Sequence, residues 1–371
     1  MSLTRRQWFT GVGAGMAASS KLALSAQVAS KSERTKLSLP GLYRGKVVAV
    51  NDPKCIVSGA FQAEPIQRMI RTGMMKLTGA PDSKSAWSQF VEPGDVVGIK
   101  LNPVGKPHVM SSPETVREVI AGLNSAGIRN KDIVVYDRYR KQFMDAGYDK
   151  WLPEGVRMSH AAEDYKDVQL DIDGYDPEHY MEMALTLPQF DIDNVAARRS
   201  YAALFITKQV NKLINLPVLK DHQSAGITLA LKNLSHGLVN NVSRSHGTTT
   251  LNACGAFIPA VVSMPVIRNK VVLNILDGTK GLYHGGPGAR PQFVWEHQTM
   301  YFATDPVALD RIGWQAIDAK RASVGMKPIA EDLPDKFSTF ERRQPEHVEI
   351  AGALGLGEWN MAKIKLERIN L

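Results

Sequence analysis

A chain of 371 residues with 44% hydrophobic and 22% charged side chains carries enough apolar material for a large core, which excludes the disordered class. Its formal charge of +8 includes Arg5, Arg6 and Lys21 near the amino terminus, and the other Lys and Arg residues are dispersed, without basic runs or interleaved aromatics. That dispersal argues against nucleic acid as a partner, while a weakly positive field favours small anionic ligands.

At the amino terminus, Thr4-Arg5-Arg6-Gln7-Trp8-Phe9 is a twin-arginine pattern, followed by a Gly/Ala-rich run from Gly11 to Ala18 that is too short to span a bilayer. Lys21 follows, and Ala23-Leu24-Ser25 offers an imperfect small-x-small cleavage site. Residues 1–25 are therefore expected to be an export signal, with the twin-arginine translocase as partner and a periplasmic or otherwise exported location, and 26–44 to be a linker. That route moves folded proteins and often serves those that take up a cofactor first, so a bound group, a divalent metal included, is an open expectation. No later run of eighteen apolar residues occurs, so no stable membrane insertion is expected.

Residues 45–371 read as one α/β domain. Short Val/Ile/Leu-rich segments at 46–51, 95–101, 132–137, 202–206, 213–219, 271–276, 300–303 and 348–350 predict buried strands. Segments at 64–77, 113–126, 224–235, 251–263 and 306–320 predict helices between them. The alternation implies a doubly wound, mostly parallel sheet with helices on both faces. Ser112-Pro113-Glu114 is a helix start, with Ser112 as N-cap and Gly127 as the stop. Residues 163–199, with Asp171, Asp173, Asp176, Asp191 and Asp193 among turns, read as an irregular insertion or lid.

The stretch from Leu216 to Gly237 sets two lysines, two histidines and an asparagine into an apolar background. Lysine is rarely buried without a partner, so this pattern points to a pocket for an anion or a metal-bound anion. On an extended strand Lys220 and His222 project from one face. On a helix Thr228, Lys232 and His236 form one polar stripe. Both sets fall near the carboxyl end of a strand, where open α/β sheets bind ligands. Lys100 and Asn102 end another strand at the same rim, where Asn102 either donates to a ligand or makes a turn before Pro103. Asp137 either meets a ligand or pairs with Arg138 or Arg140. His246 lies on an expected loop, free to act as ligand or acid/base.

Further along, Gly285-Gly286-Pro287-Gly288 and Arg290 form a candidate anion-holding loop, with Gly286 and Arg290 as its binding residues, although the spacing matches no phosphate-binding fingerprint and a plain flexible turn is the simpler reading. Asp277 and Asp305 are candidate metal ligands, and Asp305 before Pro306 also suits a helix N-cap. Asp310, one turn later, is a candidate to face the site. There is no His-x-x-x-His, no His-Glu-x-x-His and no Gly-x-Ser-x-Gly, so neither a zinc hydrolase nor a serine hydrolase is signalled.

Leu219-Lys220-Asp221-His222 followed by Thr228-Leu229-Ala230-Leu231-Lys232-Asn233-Leu234 resembles the family catalogued as domain of unknown function 362 (DUF362). Other segments agree in order: Ile99 to Asn102, Asp137, Arg244 to Gly247, Asp277-Gly278, Gly285 to Gly288, and Thr304 to Asp310. Many members of that family carry ferredoxin-type cysteine clusters. This chain has only Cys55 and Cys254, too few for a cubane, so no iron–sulfur cluster is expected from its own cysteines. Two cysteines in an oxidising compartment leave one bridge or two buried thiols equally open.

These readings converge on an exported enzyme whose reaction is unspecified. Its catalytic candidates are Lys220, His222, Lys232 and His246, and its ligand-binding candidates are Lys100, Asn102, Thr228, Asn233, Gly286 and Arg290, with a small anion as ligand. The alternative is a non-catalytic periplasmic solute- or metal-binding protein using the same crevice.

Overall fold

The computed structural model describes residues 34–371, so the export-signal expectation and the first part of the linker lie outside the described residues. The main sheet is built from β1 (Lys46–Asn51), β2 (Val97–Lys100), β3 (Ile133–Tyr136), β4 (Arg157–Ser159), β5 (Lys212–Asn215), β6 (Val218–His222), β7 (Val271–Leu282), β8 (Val294–Ala303) and β9 (Lys365–Asn370). Its order is β9-β1-β8-β7-β5-β2-β3-β4, with β6 continuing along β7 beyond β5. All these neighbours are parallel except β8, which runs antiparallel to both β1 and β7, and a tenth, two-residue strand, Gly226–Ile227, pairs antiparallel with β6. The fold is α/β with a mixed, mostly parallel sheet.

Alternation along β1 shows how both faces are covered. Val48 and Val50 enter one core with α1 (Ala63–Thr78) and α2 (Pro113–Ser125). Val47 and Ala49 enter the other, with α3 (Leu229–Leu238), α4 (Cys254–Val262), α5 (Pro306–Ser323) and α6 (His347–Ala353). A strand with apolar residues on both faces is stable only when helices flank it on each side. The start of α2 is as read: the Ser112 hydroxyl accepts from the Thr115 N–H at 3.3 Å, with Pro113 as the first helical residue.

Several boundaries differ from the sequence reading. The segment 213–219 is two strands, because Pro217 has no N–H to keep the ladder going, and its carbonyl accepts from Asp277 N–H at 2.9 Å. The helix expected from Ser224 begins at Leu229, since Gly226 and Ile227 pair back on His222 and Asp221. Residues 348–350 are helical, inside α6, because Val348 and Ala351 share its buried face. Ala202 and Ala203 belong to a separate hairpin, Tyr175–Glu182 against Arg199–Ala203, and Phe205–Gln209 coil into a π-turn. That hairpin lies within and just beyond the 163–199 segment. Among the described residues no helix is long and apolar enough to cross a membrane.

Candidate functional site

Parallel strands deliver their carboxyl ends to one rim. Lys100 ends β2, Lys220 and His222 lie on β6, and Lys232, Asn233 and His236 come from α3, which follows β6. Together with Asn102, Thr228 and His246 they line a cavity of about 210 Å³, whose wall also includes Asp137, Arg138, Tyr139, Gln142 and Tyr165. The period-2 alternation of β6 sends Lys220 and His222 into this cavity and Asp221 to the opposite side.

The three lysines differ in their partners. Lys100 Nζ pairs with Asp137 Oδ1 at 2.7 Å and also donates to the Leu101 carbonyl. Lys220 Nζ donates to Asn102 Oδ1 at 2.8 Å and to the Val104 carbonyl. Lys232 is 7% exposed and its ammonium makes no hydrogen bond or ion pair among the described residues. Burial pushes Lys220 down to about 7, with Lys232 and Lys100 adding to the effect. Burial likewise pushes Lys232 down to about 8, with Cys254 opposing the shift and Arg138 adding to it.

Behind the lysines runs a row of buried amides. Asn102 Nδ2 donates to Asn233 Oδ1 at 3.1 Å, Asn233 Nδ2 to Asn215 Oδ1 at 2.7 Å, and Asn215 Nδ2 to Asn274 Oδ1 at 2.9 Å. The last member, Asn274, donates to the Thr304 carbonyl at 3.1 Å. An ammonium can only donate and a carbonyl can only accept, so Lys220 at one end and Thr304 at the other fix the orientation of every amide between them. Asn233 and Asn102 are thereby held as rigid supports for both paired lysines.

The histidines present donors and lone pairs in a defined pattern. His222 Nδ1 accepts from the backbone N–H of Ser224 at 3.1 Å and of Ala225 at 3.3 Å. Its ring proton therefore sits on Nε2, and His222 offers the cavity an N–H donor. A metal needs a lone pair at that nitrogen, so His222 is poorly suited as a metal ligand. The His222 and His246 rings stack with centroids 5.3 Å apart. Burial, then the Lys232 charge, holds His222 and His236 well below the ordinary histidine range and takes His246 down to about 3. His246 Nε2 is buried with no hydrogen-bond partner among the described residues, and so is the Thr228 hydroxyl.

The remaining sequence candidates are engaged elsewhere, and the structure corrects their expected roles. Asp277 accepts five hydrogen bonds, from Ser112 N–H and Oγ, Thr115 Oγ1, and Thr279 N–H and Oγ1, at 2.6 to 3.1 Å, tying β7 to the start of α2. Asp305 caps α5 through Val307 and Ala308 N–H and also accepts from Gly45 and Glu358 N–H. Neither carboxylate has lone pairs left for a metal. Asp310 turns away from the cavity and receives Ala230 and Leu231 N–H at 2.7 and 2.9 Å. Gly286 N–H donates to Asp221 Oδ1 at 2.8 Å, and a Cβ there would sit 2.2 Å from the Asp221 carbonyl oxygen. Arg290 stacks over Phe337 at 5.1 Å. Of that loop, Pro287 alone lines the cavity. Asp137 pairs with Lys100 rather than Arg138 or Arg140.

Among the described residues two groups of side chains bring metal-type donors within 4.8 Å of one another: His236 and His246 of the cavity wall with the buried Cys254, and Asp176, Glu178 and His179 on the outlying hairpin. A cation at the first would face Lys232, the charge that already disfavours protonation of these histidines. Cys55 and Cys254 are both buried free thiols, which settles the question of a bridge. Sequence reasoning missed Tyr139, Gln142, Tyr165 and the Asn215–Asn274 pair. Asparagines in the middle of apolar strands were the available signal for the pair.

No curated protein matches the chain. The solved structures with a distant likeness to this chain include these two. One is a crystal structure of a protein from Thermotoga maritima, with 11% identity and a TM-score of 0.31, covering 60% of this chain and 51% of that one. The other is the lactate racemase apoprotein from Thermoanaerobacterium thermosaccharolyticum, with 12% identity and a TM-score of 0.33, covering 75% and 57%. This chain thus spans little more than half the length of either. The family described as "Domain of unknown function (DUF362)" matches residues 97–315, more than half of the sequence and the part holding β2, β6, α3 and the cavity, and the chain belongs to that family.

Proposed function

We propose that the cavity is the anion site of an exported enzyme. In this reading Lys220 and Lys232 neutralise a carboxylate or phosphate, His222 donates through Nε2–H, and His246 moves a proton. The observation that carries it is Lys232: a buried ammonium without a counter-ion is costly, and an anionic ligand supplies the missing partner. Export rests on the twin-arginine pattern. Changing both Arg5 and Arg6 to Lys is expected to leave the protein in the cytoplasm, and unchanged accumulation outside would remove that part of the proposal.

The test of the site is calorimetric titration with oxalate and phosphate. Lys232→Met is expected to weaken binding at least about tenfold, since a hydrogen bond to a charged group contributes about 1.5–3 kcal/mol, while the melting temperature holds or rises. Loss of folding in this variant would show that the lysine is structural instead. The rigid amide row behind Lys100 and Lys220 favours a second reading, a non-catalytic periplasmic solute- or metal-binding protein, because such preorganisation suits capture. Elemental analysis and absorption spectra of protein purified after native export separate the two. Stoichiometric metal or a chromophore supports cofactor-dependent or redox-associated chemistry, and a clean protein that still binds anions supports the binder.

A further inference from the structure

We propose that Lys232 Nζ is a nucleophile that condenses with the carbonyl carbon of a small 2-oxo acid, holding the substrate as an imine. This deepens the reading of the cavity as an anion site and rests on it.

Three lysines reach the cavity and two are committed, Lys100 to Asp137 and Lys220 to Asn102 and Val104. Lys232 alone among them is unheld, and it stands one helical turn beyond Thr228, whose buried hydroxyl also lacks a partner. Burial pushes Lys232 down to about 8, so roughly a tenth is free amine at pH 7, far more than for an exposed lysine, which is how a desolvated lysine becomes nucleophilic. The same wall supplies the Lys220 ammonium and the His222 Nε2–H, two donors suited to a carboxylate, which leaves the adjacent carbonyl for Lys232. A volume of about 210 Å³ suits a small molecule.

The step balances without an oxidant or reductant. The amine lone pair forms the C–N bond as the carbonyl π pair moves to oxygen, which takes a proton. The nitrogen then loses one proton, the oxygen takes a second and departs as water while the nitrogen lone pair closes the C=N bond, and the resulting iminium gives up its last N–H proton to become the neutral imine. His246 is neutral, lies on the same wall and has an unpartnered Nε2, so it is placed to relay those protons.

The experiment treats the full chain with pyruvate or glyoxylate and then sodium borohydride, which locks an imine as a secondary amine. The expected result is a mass increment equal to the oxo acid less one oxygen, mapped to Lys232 and absent from Lys232→Arg. Wild-type protein that binds oxalate yet gives no locked adduct overturns the imine and spares the anion site. An adduct on Lys220 or on surface lysines also overturns it. Failure of wild-type protein to bind oxalate or phosphate removes the anion site and this inference together.

Discussion

Burying Lys220 and Lys232 in one wall makes stability and anion affinity run in opposite directions with pH. Both titrate lower in the folded protein, at about 7 and about 8, than the ~10.4 of an unfolded lysine. Across that interval the unfolded chain binds more protons, so stability is expected to climb from about pH 7 toward ~10. Oxalate affinity needs the ammonium forms and is expected to fall over pH 7 to 8 and above. Thermal melts and titrations at stepped pH check both slopes, and an affinity that rises with pH would contradict the assignment. At this scale much was legible: the two-residue spacing of Lys220 and His222 and the four-residue spacing of Thr228 and Lys232 put all four on one cavity. The tautomer of His222 was not, because it is set by the backbone of Ser224 and Ala225. As metal ligands Asp277 and Asp305 were misjudged for a related reason, since a carboxylate's donors come partly from distant segments that spacing does not reveal, whereas the N-cap role of Asp305 was read correctly.

The helix carrying Lys232, Asn233 and His236 has no cap of its own. Its first free N–H groups are received by Asp310 of α5, 79 and 80 positions away in sequence, which explains why its start could not be read locally. Asp310→Ala strands two buried donors and is expected to cost about 3 kcal/mol. It should also weaken oxalate binding, because α3 positions the amine and the amides. Chemical denaturation and calorimetry on the same variant test this, and an unchanged midpoint would show the cap to be dispensable. The other end of α3 is tailored too: a Cβ at Gly237 would lie 2.0 Å from Lys100 Cε, so only glycine lets that lysine reach Asp137. Where local signals governed, as at Ser112-Pro113 and Asp305-Pro306, the element starts were legible.

For the molecule as a whole, the apolar strands gave the sheet and its two covered faces, and the misses fell where tertiary context decides. Strand β9, Lys-Leu-Glu-Arg-Ile-Asn, is largely exposed and reads as polar, yet it completes the sheet by pairing with β1. Asp221, on the far side of β6 from the cavity, joins Arg343 at 3.2 Å and Gly286 N–H at 2.8 Å, and Arg343 meets Asp332 at 2.7 Å. This buried network fastens the carboxyl-terminal third to the strand that bears Lys220 and His222. The amide row reaches as far, crossing β5 and β7 from the loop after β2 to the end of β8. Each asparagine in it has one end that gives and one that takes, so swapping a single link for an apolar residue orphans its neighbours on both sides. Lineages descending from this sequence should therefore retain the string intact or exchange adjacent links in concert, a grammar that sequence divergence can obey only two letters at a time.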